Sequence, residues 1–295
     1  MRYSAMSLAL LAILALSCGE RQAGTGKSDN SPGSTSAPLS PLLGRYPFDA
    51  EPRTMELSDK LREVSGIAFD GEGRLFAHGD EKGVIYELDT ASGRITRKFT
   101  LGKAGVKEDF EDIAIVGDRF YMTTSNGVIY EFSSGEDGRN VDFLTHTTGL
   151  TAGNDVEGLC HDPATNALLL ACKADPGVPG RVRSVYSFSL AEKRLASAPR
   201  WILTIDDLTR GIDRRDFRPS AITRDPATGH FLLMTSADNA IAELDSTGTV
   251  LGAIRIRRGE HQQPEGLAIS PDGTLYISDE AAEGVATVSA YQKRK

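Results

Sequence analysis

The sequence predicts an all-β chain folded as a β-propeller, most simply five blades of four antiparallel strands, on three observations. A short phrase recurs five times at near-constant spacing. A second strand-like phrase recurs a little further on in three of the copies. The fifth copy ends one strand short, while an unassigned strand candidate stands ahead of the first copy.

The first phrase reads Ser65-Gly66-Ile67-Ala68, Glu111-Asp112-Ile113-Ala114, Glu157-Gly158-Leu159-Cys160, Ser220-Ala221-Ile222-Thr223 and Glu265-Gly266-Leu267-Ala268. Counted from Ile67, the spacings are 46, 46, 63 and 45 residues. Four short strands per 40 to 50 residues is the period of a propeller blade. Blade one reads as strands over residues 66–69, 74–78, 84–88 and 95–101, with a turn at Asp70-Gly71-Glu72-Gly73. Matching turns stand at Asp225-Pro226-Ala227-Thr228-Gly229 and Ser270-Pro271-Asp272-Gly273, where the chain must reverse. The third strands align as Val84-Ile85-Tyr86-Glu87-Leu88, Val128-Ile129-Tyr130-Glu131-Phe132 and Ala240-Ile241-Ala242-Glu243-Leu244. Six blades are the alternative. A sixth would have to lie in the 63-residue interval, whose 17 extra residues are too few. That excess is placed in a loop over 175–183 and a polar, partly helical stretch over 206–217. The last copy supplies strands over 266–270, 275–279 and 285–291 only. Residues 53–57 therefore read as the N-terminal strand that closes the ring and leaves no open sheet edge.

The 295 residues carry 33 Lys and Arg against 41 Asp and Glu, a net charge of −8. There is no overall basic field to grip phosphates, so nucleic acid is not an expected partner. Apolar residues make up 40%, enough for a sizeable core. Residues 1–17 read as a signal peptide: one Arg, then an apolar run over 5–16 too short to span a bilayer comfortably. It ends at Ser17-Cys18, which resembles a bacterial lipobox with Ala15 where Leu is usual. A lipidated Cys18 followed by a Gly, Ser and Pro-rich tether over residues 18–45 would anchor a propeller over 46–295 to an envelope membrane. In a Gram-negative cell, Gly19 rather than Asp after the Cys would favour the outer membrane, facing the periplasm or the surface. A cleaved signal with a chance Cys is the alternative. Cys160 and Cys172 fall on adjacent strands out of direct register and read as free buried thiols, with a disulfide formed in an oxidising periplasm as the alternative.

In a propeller the first strand of each blade lines the axis, so the phrase position Ser65, Glu111, Glu157, Ser220 and Glu265 is axial. Three carboxylates at one mouth repel unless a cation joins them. Ca²⁺ would do so through oxygen ligands. So would Lys173 or Arg218 as charge partners. Asp80, Ser125, Asn126, Ser236, Asp238, Asn239, Asp279 and Glu280 reach the same face from second-strand ends. His78 is a weak candidate for a general base there. His161 and His230 fall at turns on the opposite face and read as surface residues. The basic stretches over 210–218 and 255–258 read as solvated faces.

Val64-Ser65-Gly66-Ile67, Asp109-Phe110-Glu111-Asp112-Ile113, Asp155-Val156-Glu157-Gly158-Leu159, Phe217-Arg218-Pro219-Ser220-Ala221 and Gln263-Pro264-Glu265-Gly266-Leu267 resemble the SdiA-regulated, or YjiK-like, family over residues 57–291. The resemblance implies a propeller displayed in the bacterial envelope. The Glu-Gly phrases are more distantly similar to propeller lactonases, gluconolactonase-like proteins and esterase-like phytases. Two functions compete. One is a ligand-binding or scaffolding module that meets a small molecule or an envelope protein on its axial face. The other is a Ca²⁺-dependent hydrolase of a lactone, ester or phosphoester, with Glu111, Glu157 and Glu265 as ligands and His78 as base. Ser at two of the five axial positions weakens the second.

Overall fold

The computed structural model describes residues 40–294. Five antiparallel sheets stand around one axis. Their first strands are Val64–Phe69, Phe110–Val116, Val156–Asp162, Ala221–Arg224 and Pro264–Ile269. Each packs beside the next, and the fifth returns to the first, so the ring is closed. The extra length between the third and fourth phrases holds no sixth blade. It holds the loop before Val182–Ser189, one turn of helix at Ile205–Leu208, and a broken outer strand, Arg194–Leu195 and Trp201–Thr204, which pair successively with Val182–Ser189.

Closure is made as the strand count requires. Arg53–Glu56 pairs antiparallel with Thr287–Tyr291 in the register Arg53 to Ala290 through Glu56 to Thr287. An edge strand that would otherwise present open backbone groups is thereby covered. A second cover was not foreseen: Asn140–Val141 runs parallel to Ile95–Leu101 and extends blade one.

Neighbouring blades interlock by a size alternation in the phrase itself. The small residue of one first strand shares a buried cluster with the branched residue of the next: Ala68 with Ile113, Ala114 with Leu159, Cys160 with Ile222, Ala268 with Ile67. Large facing small fills the seam without voids. Cys160 and Cys172 lie in different seams, paired with Leu169 and Val156 on the ladder, and both are free thiols.

The folded body begins earlier than the expected boundary at residue 46. Leu42 and Leu43 are fully buried with Tyr46 and Phe48 against blades four and five. Their backbone N–H groups donate to the buried Glu243 carboxylate at 2.9 and 3.1 Å, and His230 Nδ1 stands 2.6 Å from its other oxygen. His230 is thus half-buried in a structural contact rather than a free surface group. The matching Glu of blade two, Glu131, is held by Lys193 at 2.7 Å and His146 at 2.8 Å. In blade one, Glu87 holds Arg97 at 2.7 Å. The repeated third-strand Glu is therefore a structural anchor. The lipobox at Cys18 and most of the tether lie outside the described residues.

Candidate functional site

The phrase position owes its orientation to a β-bulge. In blades one, two, three and five, the ladder register shifts at Ser65, Glu111, Glu157 and Glu265. In blade four, the N–H of Ser220 donates to Met234 O, although Met234 already partners Ala221. A bulge leaves one residue unpaired and turns it off the ladder. Here it does so at the same end of every first strand.

The five positions then divide. Ser65 Oγ donates to Glu111 O at 2.8 Å, and Ser220 Oγ donates to Pro264 O at 3.1 Å. These serines tie blade one to two and blade four to five. Glu111, Glu157 and Glu265 share one electrostatic neighbourhood with Lys173. Lys173 Nζ lies 2.7 Å from Glu157 Oε1. Burial, then the Glu157 and Asp109 carboxylates, push Glu111 up to about 9. Burial pushes Glu157 up to about 7 against the pull of Lys173, so it ionises before Glu111. Burial also raises Glu265, with Lys173, Ser236 and Gln263 pulling it down. Glu280 is pushed up to about 7 by burial and then by Glu265, Asp80 and Glu63. Asp80 is raised by burial and Glu63. Asp80 and Glu63 line an adjoining cavity of about 290 Å³ on blade one. The mouth is therefore a basin of carboxylates around the Lys173 ammonium, whose pKa burial pulls down and Glu157, Glu265 and Asp155 more than restore, holding it above its ordinary value.

Other expected site residues are placed elsewhere. Arg218 pairs with Asp155 at 3.6 Å, not with an axial glutamate. Asp279 is buried and committed to His261 Nδ1 at 2.7 Å, whose Nε2 meets Tyr291 OH at 2.8 Å. Asp238 is taken by Arg214 at 2.9 Å. His78 is fully buried, with Nδ1 3.0 Å from Gly79 O, and burial lowers it to about 4. That geometry offers no base to a molecule at the mouth. His161 is half-buried in the wall of the opposite mouth rather than on the surface. Among the described residues no three His, Cys, Asp or Glu side chains are grouped closely enough to hold a metal ion.

Below the mouth the axis is shut. Asp112 follows Glu111 and is fully buried. Its Oδ1 accepts from Ile113 N at 2.8 Å and its Oδ2 accepts from Leu159 N of blade three at 2.7 Å. Burial raises it well above the carboxylate range despite those bonds. Asp112 went unnoticed in the sequence, although it is the one acidic residue where three other phrases have Gly.

The family profile of the SdiA-regulated proteins matches residues 43–283. The chain belongs to the SdiA-regulated family. Among solved structures, this SdiA-regulated chain is similar to the glutaminyl cyclase of Myxococcus xanthus. The TM-score is 0.56 at 16% identity, over 83% of this chain and 95% of that one. It is also similar to a luciferin-regenerating enzyme, with a TM-score of 0.52 at 12% identity, over 82% of this chain and 95% of that one. At such identities the likeness shows the fold alone.

Proposed function

We propose that this SdiA-regulated propeller is a ligand-binding module held at a bacterial envelope membrane through Cys18, and that its axial mouth binds a small amine-bearing cation. The observation that carries the reading is the surplus of carboxylates, the buried Glu157 and the half-buried Glu111, Glu265 and Glu280, around the Lys173 ammonium. At neutral pH Glu111 is largely protonated and Glu157 and Glu280 are about half so. A ligand cation replaces those protons, so binding releases protons and tightens as pH rises through the range from about 7 to about 9 where Glu157, Glu280 and Glu111 titrate. Calorimetric titration with putrescine is expected to give binding at least about tenfold tighter at pH 8.5 than at pH 6, a difference of roughly 1.4 kcal/mol. Glu111→Gln should flatten that dependence. Affinity that is level or falls with pH overturns the reading. In the same preparation, millimolar Ca²⁺ is expected to leave the melting temperature unchanged. A rise that the triple Glu→Gln variant at 111, 157 and 265 abolishes would favour the metal-dependent hydrolase instead.

The envelope address rests on the sequence, since Cys18 precedes the described residues. No helix among those residues is long and apolar enough to cross a membrane. Two-chain lipidation at Cys18 would supply stable attachment. Cys18→Ser is expected to move the protein from the membrane fraction to the soluble fraction or to stall its processing. A variant that fractionates and matures like wild type rules the anchor out.

A further inference from the structure

The carboxylate basin is built from two repeat positions. One is the bulge position of the five first strands. The other is the residue that follows each second strand: Asp80, Ser125, Lys173, Ser236 and Glu280. Together these ten positions hold five acids, four serines and one lysine.

The lysine is held at both ends. Its backbone N–H donates to Asp155 O at 2.8 Å, and its Nζ lies 2.7 Å from Oε1 of the buried Glu157. Asp155 accepts that bond from the left-handed region, at φ 54°, a conformation that costs a non-glycine residue energy. The basin therefore already binds an ammonium, and that ammonium belongs to the chain. A tethered group competes like a ligand present at millimolar concentration. An external amine meets the Glu157 carboxylate only in the fraction of molecules where Lys173 has left it, and its apparent affinity falls by that fraction. The departing side chain has somewhere to go. It is 26% exposed against 7% for Glu157, so it reaches solvent without a backbone shift. Asp155 lies within its electrostatic reach and is shared only with Arg218, at 3.6 Å.

We infer that Lys173 is a tethered occupant of the amine site: its ammonium fills the place at Glu157 in the free protein, and a ligand amine binds there by displacing it toward Asp155. The inference rests on the amine-binding reading above. A place that accepts the end of a lysine side chain accepts a primary alkylammonium, and Lys173 sets how much of it the mouth needs.

n-Butylamine reproduces the four carbons and the ammonium of that side chain. Titrated by calorimetry at pH 8.5 into the full chain in detergent, it is expected to bind Lys173→Ala at least about tenfold tighter than wild type. It should also raise the melting temperature of the variant, whereas 1-butanol should not. Adding Glu157→Gln to Lys173→Ala should remove the gain, in a protein with no buried carboxylate left unpaired at that place. In wild-type crystals soaked with butylamine, Lys173 Nζ is expected to have left Glu157. If wild type binds butylamine and Lys173→Ala binds it no tighter, the displacement is overturned while the amine reading stands. If no saturable amine binding is found in wild type or either variant, both are overturned. The soaked crystals need no variant, and butylamine bound in the mouth with Lys173 still on Glu157 overturns the proposal as well.

Discussion

Removal of residues 1–39 is expected to leave the melting temperature of the propeller nearly unchanged, whereas removal of residues 1–58 is expected to abolish the folded state. The longer deletion takes the closing strand Arg53–Glu56, which fills the fourth place of blade five, and the N–H of Leu57, which donates to Ala286 O at 2.8 Å. It also takes the buried side chains of Leu42, Leu43, Tyr46, Phe48, Met55 and Leu57. At roughly 2 kcal/mol each, their lost burial is on the order of 10 kcal/mol, the size of a domain's whole stability. What remains would expose the long edge of Thr287–Tyr291, a template for aggregation. Expression and melting of the two truncations decide the matter. If both melt at the same temperature, the closing segment is dispensable and the account of closure is wrong.

The difference between the two deletions also shows what the sequence made legible. Repeat period, blade number and the missing strand were all readable, because each is carried by apolar pattern and turn residues at fixed spacing. The start of the fold was not. Pro41 and Pro47 bracket residues 42–46, too short a stretch to show a strand or helix period, and what ties Leu42 and Leu43 down is distant in sequence: the apolar cluster of blades four and five and the Glu243 carboxylate. The site was half legible. Phrase position marked Glu111, Glu157 and Glu265, and strand-end alignment marked Lys173. The bulge that turns them is a register event between strands, and no single strand records it. Nor does Asp279 reveal in sequence that His261, eighteen residues earlier, has already claimed it. The partners of a buried carboxylate are set by packing across blades, as Glu131 shows by meeting Lys193 from blade three.

The glycine of the Glu-Gly phrase carries the second large expectation. Gly158→Ala is expected to destabilise the propeller by about 3 kcal/mol, the upper part of the usual range for overpacking. For a domain of this size that lowers the melting temperature by roughly 6–12 °C. Gly158 lies in an ordinary strand, not in the left-handed region, so Ala would by backbone entropy alone stabilise the chain by about 0.4–1 kcal/mol. Close approach reverses the sign. A Cβ at 158 would stand 2.9 Å from Ile222 N and 3.1 Å from Ala221 C, backbone atoms of the next blade that cannot swing aside. The same holds at Gly66, 2.9 Å from Asp112 Cα, and at Gly266, 3.1 Å from Ile67 N. Glycine at this step lets the first strands converge, and their convergence closes the axis beneath the carboxylate basin. The two phrases without Gly show the other solution: Ala221 is small, and the Asp112 carboxylate is accommodated by accepting the Leu159 N–H of the blade it faces. Gly71→Ala is the control, since a Cβ at that turn meets nothing within 4 Å. Its expected change is within about 0.5 kcal/mol of wild type. Chemical denaturation of both variants separates the cases. If Gly158→Ala is as stable as Gly71→Ala, the first strands have room to spare, and the glycine repeated at 66, 158 and 266 needs a cause other than convergence on the axis.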